Sequence, residues 1–414
     1  MLNFTVINNI KVIHIPHPSQ LVTFGIGTLN GSNFENSPYA GISHFAEHLY
    51  FKGTTTRTWK DINYIFAKNG ANHNAYTSNT EVFYHATCPT YNMFNIVELM
   101  LDMFFNSTYP VDEIEKERNV ITEEKKMTID EPYNYFYNQI GDNLFCWEKG
   151  HDTIGTFETI ANIKQNHIFE YLKTSISYEN LIFVCCGDID FVDLCKCIEK
   201  NIPSQHDFLK KTKRNIVTDE FWRNKPLNSK NYLKIVKDNL KQAYMGRVFR
   251  GLSLFDLKAP EISVFLRALG GGSYSLLFER IREELGLCYS IYLTHITMAF
   301  PDHISYCVGG ETSKEHIGLF IEETENIFKK VIKDGISNDL FECAKNSLIS
   351  VLMSVSETTM STTSFMIERL LFDNHKKIED RIKDIKNVTL NDCNSVSEAI
   401  LNSDYNWAVM TDGE

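Results

Sequence analysis

The sequence predicts an α+β protein of two similar halves, each a mostly antiparallel sheet with helices packed on one face. Three observations predict it. Short β-branched and aromatic runs, broken by Asn, Pro and Gly, alternate with longer segments of helical period. The order of these elements starts again after residue 229. Each half also ends on an apolar run closed by a polar turn, Asn180 to Asp188 and Tyr405 to Asp412. Strands mixed with helices in this way form layers, with helices covering a sheet.

The elements follow in order. Thr5 to Ile7, Lys11 to Ile15 and Leu21 to Gly27 read as strands, and residues 38–50 turn helical in period. A second helix over Trp59 to Lys68 is stopped by Asn69 and Gly70. Asn74 to Thr87 returns to strand character, and helices follow at about 91–106 and 111–129. The hydrophobic pattern weakens over 206–229, which reads as a linker between halves at 1–205 and 230–414. Its basic run, Lys210 to Arg214, is expected to be solvated rather than a binding patch. In the second half, strands within 231–250 precede helices at about 258–269 and 274–285, and strands resume from 288.

Composition excludes several classes. The 414 residues are 43% hydrophobic and 23% charged, as in ordinary globular chains. A net charge of −12 repels phosphate backbones, so nucleic acid is not an expected partner. The ten cysteines contain no CxxC pair, and the expectation is free thiols in a reducing compartment. The N-terminus lacks a basic-then-apolar leader, and no run of about 18 apolar residues appears. Cytoplasmic residence without membrane contact is expected.

The chemistry concentrates in His44-Phe45-Ala46-Glu47-His48. Positions i and i+4 share a helix face, so both imidazoles reach one ion, with the Glu47 carboxylate beside it. The order H-x-x-E-H is the inverted zinc-peptidase motif. The bland alternative is a histidine pair packed in a helix face. Catalytic zinc needs a third protein ligand and an open position. In the segment Val111 to Asp130, the apolar residues Ile114, Ile121 and Met127 mark one face, and Glu117 and Glu124 fall on it. A carboxylate in an apolar stripe needs a partner, which a zinc ion would supply. Glu113, Glu115 and Glu123 fit better as surface partners of Lys116, Arg118, Lys125 and Lys126. His73 is a further candidate neighbour of the ion. Gly270 to Gly272 lack a following Gly-Lys-Ser/Thr and read as a tight turn before a helix.

Together these residues resemble the pitrilysin family of zinc peptidases (M16), in particular its short members related to mitochondrial processing peptidase. The resemblance covers nearly the whole chain and rests on four stretches: His44 to Thr54, Gly70 to Ser78, Glu117 to Glu124, and Leu269 to Tyr289. It implies the fold of that family, one Zn²⁺ per chain on His44, His48 and Glu124, and Glu47 as general base. It further implies Glu117 as an outer-shell carboxylate, and Asn74 and Ala75 on a strand that hydrogen-bonds the substrate backbone. Arg282 and Tyr289, seven residues apart, would hold substrate and stabilise the transition state. After Thr77 and Ser78 the family usually shows an acidic residue and then a Thr two positions later; here those places are Thr80 and Val82.

The implied activity is a zinc endopeptidase acting on unfolded peptides or protein segments within an enclosed chamber. The alternative is a non-catalytic peptide-binding or assembly subunit on the same fold. Long members of the family join four such half-domains and this chain carries two, so the resemblance implies pairing with a second chain, as a homodimer or a heterodimer.

Overall fold

A computed structural model describes residues 2–35, 37–144, 152–203, 232–251, 258–300, 303–372 and 374–413. The proposed linker at 206–229 lies outside the described residues. The chain divides into two compact units: Met1–Met127 with His151–Ile216 and Val355–His375, and Thr128–Gly150 with Val217–Ser354 and Lys376–Glu414.

The first unit is built on six strands: β1 (Asn3–Ile7), β2 (Ile10–Pro16), β3 (Leu21–Thr28), β4 (Asn72–Thr77), β5 (Val82–Pro89) and β6 (Leu181–Gly187). Their order is β1-β2-β6-β3-β5-β4, with only the β2–β6 pair parallel. The β1–β2 hairpin turns on Asn8 and Asn9, both at positive φ, as a two-residue turn matched to strand twist requires. One face of the sheet carries Val22, Phe24, Ile26, Tyr84, Ala86, Phe183 and Cys185. It packs beneath α1 (Ile42–Leu49), α2 (Trp59–Lys68), α3 (Met93–Asn106), the start of α4 (Val111–Asp130), and the helices at Phe157–Asn162, Gln165–Ser175 and Phe191–Asn201.

The second unit holds β7 (Tyr232–Val236), β8 (Ala243–Gly251), β9 (Cys288–Phe300), β10 (His303–Thr312) and β11 (Tyr405–Thr411), in the order β7-β11-β8-β10-β9. Only β7–β11 is parallel. Leaving β1 aside, the two sheets have the same topology: first, last, second, fourth and third strand of their half. The pairing of β6 with β11 as equivalent closing strands is the repeat expected from Asn180 to Asp188 and Tyr405 to Asp412.

Helices on one face alone do not describe the first sheet. Its opposite face presents Ile13, Phe83, Ile182 and Val184 and is covered by the helix Thr359–Leu371, through Met366, Ile367, Leu370 and Leu371. Thr23 Oγ1 donates to Thr359 Oγ1 at 2.9 Å. Gly27 permits the approach, since a Cβ there would stand 2.6 Å from the Ile367 side chain. Conversely, the helix Pro132–Leu144 belongs to the second unit, where Phe136, Ile140 and Leu144 pack on Leu233, Val248, Ala408 and Met410. Each unit thus takes one helix from the other half of the sequence, where the sequence reading placed contiguous halves. Among the described residues, no helix is long and apolar enough to cross a membrane.

Candidate metal centre

The helix α1 is short and almost entirely buried. Ile42, Phe45, Ala46 and Leu49 enter the core beneath the sheet, and this periodicity leaves His44, Glu47 and His48 lining a cavity of about 540 Å³. The start of the helix is unusually constrained. Gly41 sits at φ 90°, and a Cβ there would run into the Ile154 carbonyl. The two oxygens of the fully buried Glu35 accept the Gly41 and Ser43 N–H groups at 2.6 and 2.7 Å. These are donors that a helix start leaves open. Ser43 Oγ donates to the Asn30 carbonyl at 2.9 Å.

Burial raises the Glu35 carboxyl from the ordinary 4.5 to about 7, against the lowering effect of its bonds to Ser43 and Gly41. The folded chain therefore retains a proton that the unfolded chain gives up near 4.5. Stability from this group is full below about 4.5 and is lost as pH rises through about 7. Chemical denaturation of the metal-free protein should show wild type losing about 3 kcal/mol relative to Glu35→Gln across that interval. Parallel pH profiles would contradict it.

The third donor comes from α4. His44 Nε2 lies 3.7 Å from Glu124 Oε1, and His48 Nε2 lies 3.4 Å from Glu124 Oε2. One ligand atom from each of His44, His48 and Glu124 falls within 4.8 Å of the others. Ile114, Glu117 and Ile121 are buried on this face of α4, as the periodicity predicts. Met127 is not: it is 71% exposed, so the apolar stripe ends a turn earlier than the sequence suggests. Glu113, Glu115 and Glu123 pair with Lys116, Arg118 and Lys126 at 2.5, 2.9 and 2.7 Å, and Lys125 turns to Asp152 at 2.8 Å.

Glu117 holds His48 from behind, with Oε2 3.0 Å from Nδ1, and Oε1 meets Lys52 Nζ at 2.6 Å. An Nδ1–H donated to Glu117 leaves the Nε2 lone pair of His48 facing the carboxylate of Glu124. Two acceptors so close require a cation or a proton between them. Burial opposes charge on His48, yet its bonds to Glu117 and Glu124 and the nearby Glu47 outweigh it and push its pKa up to about 9. His44 moves the other way, to about 4, through burial and the charge of His48. The bond from His48 holds the Glu124 carboxyl below its usual range. Two imidazoles and a carboxylate, one imidazole oriented by a second carboxylate, fit a catalytic zinc with an open position. A metal ion and a proton would compete for His48 Nε2, so uptake of an ion there would release a proton.

Glu47 lies beside these donors, 8% exposed, with Oε2 accepting the Thr77 hydroxyl at 3.0 Å. Burial raises its pKa, against the lowering by His48 and Thr77. Thr77 ends β4, the edge strand of the sheet, and Asn74 to Thr77 line the cavity. Asn74 and Ala75 pair inward with His85 and Tyr84. His73 is not part of the donor set; its ring stacks on Phe66 at 3.8 Å between centroids. Thr77, Lys52 and the Thr153–Ile154 wall were not singled out from sequence. Lys52 lies beyond the end of α1 and meets Glu117 on a separate helix, and Thr77 meets Glu47 from a separate strand, so helical spacing reaches neither.

Arg282 and Tyr289 lie together in the second unit. The helical turns before Tyr289 widen into a π-helix over Phe278–Glu284, with Leu285 N bonded to the Arg280 carbonyl. The Arg282 guanidinium stands 4.9 Å from the Tyr289 ring centroid and 4.5 Å from that of Phe278. Tyr289 is 81% exposed.

Two family models match the chain. Residues 11–146 match the insulinase model of peptidase family M16, and residues 162–348 match the peptidase M16 inactive domain. The chain belongs to peptidase family M16. Among similar proteins, a Bacillus subtilis protein named uncharacterized zinc protease YmxG is 27% identical over 411 residues, covering 99% of this chain and 97% of that protein. A Rickettsia felis protein, also named an uncharacterized zinc protease, is 24% identical, covering 92% and 90%. The crystal structure of a protease from Helicobacter pylori superposes with a TM-score of 0.89 at 17% identity, over 99% of both chains. At that identity the likeness shows the fold alone.

Proposed function

We propose that this M16 chain is a zinc-dependent endopeptidase that hydrolyses unfolded peptides or protein segments, with Glu47 as general base. The observation that carries the reading is the convergence of His44, His48 and Glu124 beside a buried, Thr77-anchored Glu47 in one cavity. His44, His48 and Glu124 would hold a zinc ion, which when bound would supply Lewis acidity toward water and the scissile carbonyl. Glu47 takes the proton from the attacking water and passes it to the leaving amine. Thr77 holds one oxygen of Glu47, leaving the other for that transfer. An extended substrate adds to the free edge of β4 at Asn74 and Ala75, where backbone bonds supply affinity. For Arg282 and Tyr289 the family resemblance supports roles in holding substrate and stabilising the developing oxyanion, contributed by this chain or by a second copy.

The test is cleavage of a fluorogenic peptide library by the full chain, before and after chelation. Cleavage that disappears with chelator and returns with zinc is the expected outcome. No chelator-sensitive cleavage of any peptide would reject the proposal in favour of a non-catalytic peptide-binding role.

A further inference from the structure

Lys52 is the one lysine or arginine in the wall of the metal cavity among its described lining residues. It follows the end of α1, its N–H bonded to the Leu49 carbonyl at 3.0 Å, so its stem starts from a fixed point. Its ammonium reaches Glu117 Oε1 at 2.6 Å, while the other oxygen of that carboxylate stands 3.0 Å from His48 Nδ1. Glu117 is 6% exposed. A buried carboxylate facing only a neutral imidazole N–H would carry an uncompensated charge, which is costly. It would also be free to turn about its last torsion. Bonded at both oxygens, to a cation on one side and an imidazole on the other, it can do neither.

Resting on the zinc reading above, we propose that Lys52 is a positioning residue for the metal centre. By pinning Glu117 it fixes the ring of His48 and directs Nε2 toward the ion. The orientation of a ligand is thereby set by a residue that is not itself a ligand.

The test measures zinc affinity of the full chain by competition with a chromophoric chelator, in wild type, Lys52→Met, Lys52→Arg, Glu117→Gln and the Lys52→Met/Glu117→Gln double variant. Lys52→Met should bind zinc roughly 10–100-fold more weakly. Lys52→Arg, which keeps the cation, should recover most of that loss. The double variant should be little weaker than Glu117→Gln alone, because both changes break one chain of contacts. Lys52 is 28% exposed, so the variant is expected to fold, and circular dichroism checks it. Zinc affinity of Lys52→Met within twofold of wild type would overturn the inference, as would unchanged affinity with a raised KM, which would make Lys52 a substrate contact. If wild type itself binds no zinc, the metal reading fails and this inference with it. If wild type binds and Lys52→Met binds equally, only the role of Lys52 fails.

Discussion

Glu47→Gln is expected to retain zinc and lose peptide hydrolysis by roughly 10²–10⁴-fold, the usual contribution of a positioned general base. The substitution is nearly isosteric, and the amide oxygen can still accept the Thr77 hydroxyl that now meets Oε2 at 3.0 Å. His44, His48 and Glu124 are unchanged by it, so metal content should equal that of wild type. What disappears is the basic oxygen. Because burial raises the pKa of Glu47, the wild-type rate should also fall on the acid side as the carboxylate takes up a proton, and the variant should lack that limb. Metal analysis and turnover on the same preparation decide the matter. Turnover at the wild-type rate would remove Glu47 from the role of base.

His48→Ala should lose both metal and activity. His48 contributes Nε2 to the donor set and is the link through which Glu117 and Lys52 bear on it. Removing an outer partner of a metal ligand costs about 10–100-fold in affinity, and removing the ligand itself should exceed that. The remaining pair, His44 and Glu124, offers two donors where a catalytic zinc takes three. The variant should emerge substoichiometric in zinc by elemental analysis and inert toward peptides that wild type cleaves. Stoichiometric zinc in it would sink the ligand assignment.

Much of this site is legible in the sequence because it is written in helical spacing. His48 stands four positions after His44, and one face of α4 holds both Glu117 and Glu124. Periodicity says which side of a helix turns inward, and it marked those two carboxylates although Met127 at the end of the stripe is exposed. It does not say what the inward side meets. Thr77 reaches Glu47 from a strand thirty residues away, and Glu35 reaches the start of α1 across a loop; neither has a spacing rule. The same limit governs the fold. Phe136, Ile140 and Leu144 recur every four residues, as in any amphipathic helix, and nothing in that recurrence tells which of two equivalent sheets they cover. Arg282 and Tyr289 follow from family resemblance rather than from pattern; the Arg282 guanidinium, within the π-helical stretch, stands 4.9 Å from the Tyr289 ring centroid.

The exchanged helices bear on how the chain is made. The cover of the first sheet is the segment Thr359–Leu371, more than three hundred residues downstream of β3. As the chain leaves the ribosome, Ile13, Phe83, Ile182 and Val184 stay without their apolar cover until nearly all of it has been synthesised. Closing so distant a contact is slow, because the entropy of a long loop is lost before the contact rewards it. Domain-by-domain folding from the N-terminus, usual for two-domain chains, cannot be completed here. A fragment that ends after Glu124 and before Thr359 carries all the proposed zinc ligands, yet lacks the helix that covers the other face of the sheet.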